Sequence, residues 1–137
     1  MGNERPSKTS NTKFLTGVSQ YVVNMSDDIL NVDTKTGPIE IFLPNIKNSG
    51  LNQFPKDFCI NDVGGFSGTN PITIIGVGSD LVNGGVSTLL QKDFGSGVCQ
   101  VCNVNEWLVS KDTDSATSGI GGGGTTNYLR SEVRRRG

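Results

Sequence analysis

Histidine is absent from the 137-residue chain. Its absence removes the imidazole general base, the Ser-His and Cys-His pairs, and zinc or haem sites built on imidazole. Alanine is nearly absent, with Ala116 alone, which argues against long helices. No apolar run approaches the roughly 20 residues that cross a bilayer. The start MGNERPSKTS is polar and lacks a secretory pattern. No glycine loop ends in Gly-Lys-Ser/Thr, so the usual phosphate cradle is missing. GIGGGG at 119–124 matches the spacing of a dinucleotide loop. Such a loop must follow a strand and open a helix, and here a polar stretch precedes it, so it reads as linker.

Cysteine is scarce and odd in number, at three, which disfavours a closed disulfide framework. Cys99 and Cys102 form CxxC within GVCQVCNV, a segment patterned as a strand. Residues three apart on a strand point to opposite faces, so these thiols cannot share a metal or bridge each other. The expectation is free, buried thiols in a protein made in a reducing cytoplasm.

Glycine is plentiful, at 19 residues. Short β-branched and aromatic runs alternate with Gly, Pro, Asn and Asp clusters at the spacing of an all-β sandwich or barrel. VSQYVVN, ILNVD, IEIFLP, DFCIND, PITIIG, VSTLLQ, VCQVCNV and EWLVS read as strands. The last two form a hairpin around Asn103–Asn105, and Asn83-Gly84 is a turn signal. Period-2 alternation assigns Ile39, Ile41, Leu43, Phe58, Ile60, Ile72, Ile74 and Trp107 to the core. Trp107 alternates with Val109, which favours packing over sugar stacking. The predicted fold is all-β, a small antiparallel sandwich or barrel-like domain with extended basic N- and C-terminal tails.

Four segments follow: an extended arm at 1–17, a β domain at 18–112, a Gly/Ser/Thr-rich linker at 113–127 and a basic tail at 128–137. Residues 1–17 carry Arg5, Lys8 and Lys13 against Glu4, whereas 18–112 carry ten acids and five lysines. The tail holds Tyr128, Leu129, Arg130, Arg134, Arg135 and Arg136. Basic ends on an acidic body suit docking on an acidic surface; solvated tails explain them equally. The arginines lack an aromatic stacking platform beside them, so nucleic acid is not the expected partner. Residues 45–56 read as a long polar loop. Asp27, Asp28 and Asp33 lack calcium-loop spacing and read as turn residues bonding their own backbone. No catalytic, cofactor-binding or metal-binding residue is assigned, and the chain is not expected to be an enzyme.

The runs SDDILNVDTKTGPIEIFLP at 26–44, DFCINDVGGFSGTNPITIIGVGSDLVNG at 57–84 and VCQVCNVNEWLV at 98–109 resemble a β domain of tailed-phage virion proteins, namely head-fibre, tail-fibre and tail-spike proteins. The order of an Asp-Asp corner, a strand ending in Leu-Pro, Asn-Pro-Ile-Thr-Ile, an Asn-Gly turn and a late Trp strand carries the likeness. The polar loop at 45–56 and the glycine linker with its basic end depart from that pattern. The resemblance implies a trimer, and a structural role as head fibre or capsid decoration in the virion. Capsid or tail proteins would be its partners, reached through a terminal tail. The alternative it implies is a tail-fibre or receptor-binding module touching a host glycan or protein. Strands apolar on both faces, such as Ile41–Phe42, Ile74–Ile75 and Trp107–Leu108, accommodate an oligomer.

Overall fold

A computed structural model describes residues 10–112 of the chain. Among these residues there are ten strands and no helix. They are β1 (Thr12–Thr16), β2 (Gln20–Val22), β3 (Ile29–Asp33), β4 (Ile39–Phe42), β5 (Phe58–Asp62), β6 (Ile72–Ile75), β7 (Leu81–Val82), β8 (Ser87–Leu90), β9 (Ser96–Asn103) and β10 (Glu106–Lys111). Two sheets form, with orders β1-β3-β5-β9-β10-β7 and β2-β4-β6-β8.

The chain steps between the two sheets with each new strand from β1 to β6. Strands adjacent in sequence therefore do not pair in this half. Pairs β1·β3, β3·β5, β2·β4 and β4·β6 are all parallel. The antiparallel expectation is corrected: only β5·β9, β9·β10 and β6·β8 pair that way, and β7·β10 adds another parallel pair. A parallel pair needs a crossover, and here the intervening strand in the opposite sheet provides it. Alternating hydrophobicity reports one buried face, which looks the same in either pairing.

Parallel register stacks like on like. Ile39 pairs with Ile72, and Ile41 with both Tyr21 and Ile74. Leu30 pairs with Ile60 across the facing sheet. These side chains meet between the sheets, where Ile39, Ile41, Leu43, Phe58, Ile60, Ile72, Ile74 and Trp107 all lie in one core. Each such side chain contributes on the order of 1.5–3 kcal/mol by leaving water. Trp107 is fully buried, its ring centroid 5.9 Å from that of Phe58 at 54°.

One boundary and one loop differ from the sequence reading. The sheet begins inside the expected arm, because β1 pairs with β3 from Thr12 to Thr16. The polar loop at 45–56 also sends Ile46 and Leu51 into the core. Isolated apolar residues among Asn, Lys and Ser show no period, so the pattern passed over them. Ile46 is held there by its N–H, which donates to the buried Asp80 carboxylate at 2.8 Å.

The Asn83-Gly84 turn has positive φ at both residues, 51° and 82°, the requirement of a tight hairpin turn. Its side chain also works: Val109 N–H donates to Asn83 Oδ1 at 2.8 Å, and Asn83 Nδ2 donates to the Val109 carbonyl at 3.1 Å. The amide thus imitates a further strand beside β10. No helix among the described residues is long and apolar enough to cross a membrane.

Candidate functional site

Asp27 and Asp33 serve turns as the sequence reading expects, but the turn reading of Asp28 is corrected, because it ties down distant Asn11 and Lys56. Buried Asp27 accepts the Tyr21 hydroxyl at 2.5 Å and the Asn24 N–H at 2.9 Å. Burial, then that hydrogen bond, pushes the Tyr21 phenol up to about 12. Asp28 pairs with Lys56 at 3.0 Å and accepts the Asn11 N–H at 2.7 Å. Asp33 accepts the Lys35 N–H at 2.9 Å, closing the turn after β3. Among the described residues, no group of three His, Cys, Asp or Glu side chains is placed to hold a metal.

Asp62 was not singled out by the sequence, yet it joins the loops at 63–70 and 91–95. It is almost fully buried and accepts N–H groups from Gly65, Ser67 and Phe94, each at 3.0 Å. Burial pushes its pKa up, but the Ser67, Phe94 and Gly65 donors outweigh it and hold the carboxyl below its usual range. The only cue was an Asp at an inward position of a strand, followed by glycines.

The thiols divide by face. Cys99 is buried, Cys59 is half-buried and Cys102 is exposed, and all three are free. The expectation of three buried thiols is therefore corrected for Cys102, while the opposite facing of the CxxC pair holds. Burial, with a smaller push from Cys59 and Asp57, raises the Cys99 thiol to about 12. Thiolate is the reactive form. An alkylating reagent at neutral pH is therefore expected to modify Cys102 first and to spare Cys99 until the domain unfolds. Mass spectrometry of a timed reaction reads the order; early modification of Cys99 would contradict this burial.

The outward faces carry the remaining candidates. On the four-stranded sheet, Val22, Phe42 and Ile75 are in register on neighbouring strands. They form an apolar row running across β2, β4 and β6. Val22 is 69% exposed, and the row ends on β8 at Ser87, which pairs with Ile75. Phe42 and Ile75 are half-buried, and the neighbouring outward row, Gln20–Glu40–Thr73–Leu89, is largely polar. On the six-stranded sheet one outward row is polar from Asn31 through Asn61 to Ser96, with exposed Phe14 at its end, and the next row, Ile29–Cys59–Val98, is apolar. Asn61 Nδ2 donates to Asn31 Oδ1 at 3.0 Å, and Ser96 Oγ donates to Asn61 Oδ1 at 2.8 Å.

Tyr128, Leu129, Arg130, Arg134, Arg135 and Arg136, with the linker at 113–127, lie outside the described residues.

The described part of the chain is an all-β domain of two mixed sheets with an apolar row on the outer face of the smaller one. Neither a family model nor a curated protein matches the sequence.

Proposed function

We propose that the chain is a structural subunit of a tailed-bacteriophage virion, a trimeric head-fibre or capsid-decoration protein held to the particle by a terminal segment. The observation that carries this reading is the row Val22–Phe42–Ile75 on the outer face of a parallel sheet. Burying such a row against the same row of other copies removes apolar surface from water and covers the face. The ordered phage-like motifs support the virion setting and the trimer. Assembly and display, not turnover, is the mechanism, and several copies of a weak contact through a terminal segment would hold the head by avidity. Neither a cofactor nor nucleic acid has a part in it.

A tail-fibre or receptor-binding role is the second reading. Phe54, 77% exposed in the 45–56 loop, favours it as a contact for a host glycan or protein.

Light scattering on the full chain tests the first reading. A trimer is expected, with Ile75→Lys giving a monomer of unchanged circular dichroism. A monomeric unmodified chain would sink the oligomeric fibre.

A further inference from the structure

The corner where β5 ends and β9 begins carries an exposed apolar patch with its own anchor. Phe94 is 69% exposed, and Phe66 and Val63 are exposed beside it. Phe94 also has φ 60°, in the left-handed region, which a bulky residue occupies at a cost of about 1 kcal/mol or more. Three features hold it there. Its N–H donates to Asp62. The tip of its ring closes on Gly65, where a Cβ would come within 2.3 Å of Cζ. The Gly68 N–H donates to Asp93 at 2.8 Å, tying the two loops together. A glycine or asparagine at 94 would adopt this φ more easily. The fold thus holds an aromatic ring in water against local preference.

The described chain leaves the domain at this same corner. Asp112, its last described residue, accepts the Ser96 N–H at 2.7 Å and pairs with Lys92 at 3.9 Å. Asp93 is exposed, and Asp33 sits against Gly64. The apolar patch is therefore rimmed by carboxylates. The segment that follows Asp112 in the sequence has the opposite charge. Residues 128–137 carry Arg130, Arg134, Arg135 and Arg136 against one acid, Glu132, with Tyr128, Leu129 and Val133 among them. A glycine-rich stretch of the length of 113–127 spans on the order of 20 Å, and over so short a tether the local concentration reaches the millimolar range.

We infer that the basic segment 128–137 of the same chain docks on the Phe94–Phe66–Val63 corner. Its apolar residues meet the rings, and its arginines engage the Asp93, Asp33 and Asp112 carboxylates. The docking does not depend on the virion reading. Where that reading holds, docking leaves the N-terminal arm to fasten the subunit.

Amide spectra of the labelled full chain test this. The Gly65, Gly68 and Phe94 signals are expected to differ from those of a chain in which all four arginines are Gln. The difference should be present at about 0.1 M salt and lost near 1 M, where screening reaches about 3 Å. Phe94→Gly in the full chain should abolish the salt response while Tm holds or rises. Coincident spectra of the two chains at both salt levels would overturn the inference. So would a salt response that persists in the Gln variant, since another cation would then be the occupant. A fall in Tm on Phe94→Gly would make the ring a structural prop and remove the argument. The trimer test reads mass alone, so the two proposals fail separately.

Discussion

Replacing Trp107 by Ala is expected to lower the stability of the β domain by about 3–5 kcal/mol. The indole is the largest fully buried side chain and packs on Phe58. Its removal opens a cavity between the two sheets that the stacked isoleucines cannot collapse to fill without leaving register. A domain of this size has only about 5–15 kcal/mol in total, and each kcal/mol moves Tm by roughly 4–8 °C. Thermal unfolding followed by circular dichroism reads the loss. Trp107→Phe is the control. Trp107 Nε1 is buried without a partner, so Phe removes an unsatisfied donor along with part of the volume. Its cost should be well under half that of the alanine change. Equal costs for the two would mean that packing volume does not decide this site.

Asp62→Ala is expected to cost about 2–4 kcal/mol, from three backbone donors that lose their acceptor, the Ser67 N–H in a buried bond and the other two half-buried. Two loops lose their common anchor at once, 63–70 and 91–95, because Gly65, Ser67 and Phe94 all donate to this carboxylate. Asp62→Asn should cost less, since one oxygen remains to accept while the new NH2 faces a donor. The pH dependence has a definite sign. The folded-state pKa is depressed, so the carboxylate's contribution is full above the ordinary carboxylate range. It is lost as pH falls through the folded value. Denaturant midpoints of the wild type should therefore fall on acidification below about pH 4, and those of Asp62→Ala should fall less. Parallel curves for the two proteins would show that Asp62 is not the group responsible.

The legible part of this protein was its strands. Ile39, Ile41, Ile72 and Ile74 alternate with polar or outward positions, and a pleated strand half-buried on one face requires that alternation whatever its neighbour. Asn83-Gly84 was legible for a similar reason, since two consecutive positive φ values leave few residues able to serve. The opposite facing of Cys99 and Cys102 followed from strand geometry alone. In each case the constraint lies within a few residues of chain, so the sequence determined it unaided.

Partnership was decided only by the tertiary structure. Whether β3 pairs with β4 or with β5 depends on where the connection sends the chain, and residues 34–38 carry it into the other sheet. That crossing turns sequence neighbours into parts of opposite layers and makes the sheets parallel through β1 to β6. Asp62 gained its role in the same way: its donors lie at 65, 67 and 94, and the last is brought in by the β5·β9 pairing. Ile46 and Leu51 were hidden among polar residues because burial of a loop depends on what it folds over. The outward row Val22–Phe42–Ile75 exists only once parallel register aligns three separate strands. Local periodicity tells which face of a strand is apolar; long-range pairing decides which apolar faces meet and which stay at the surface.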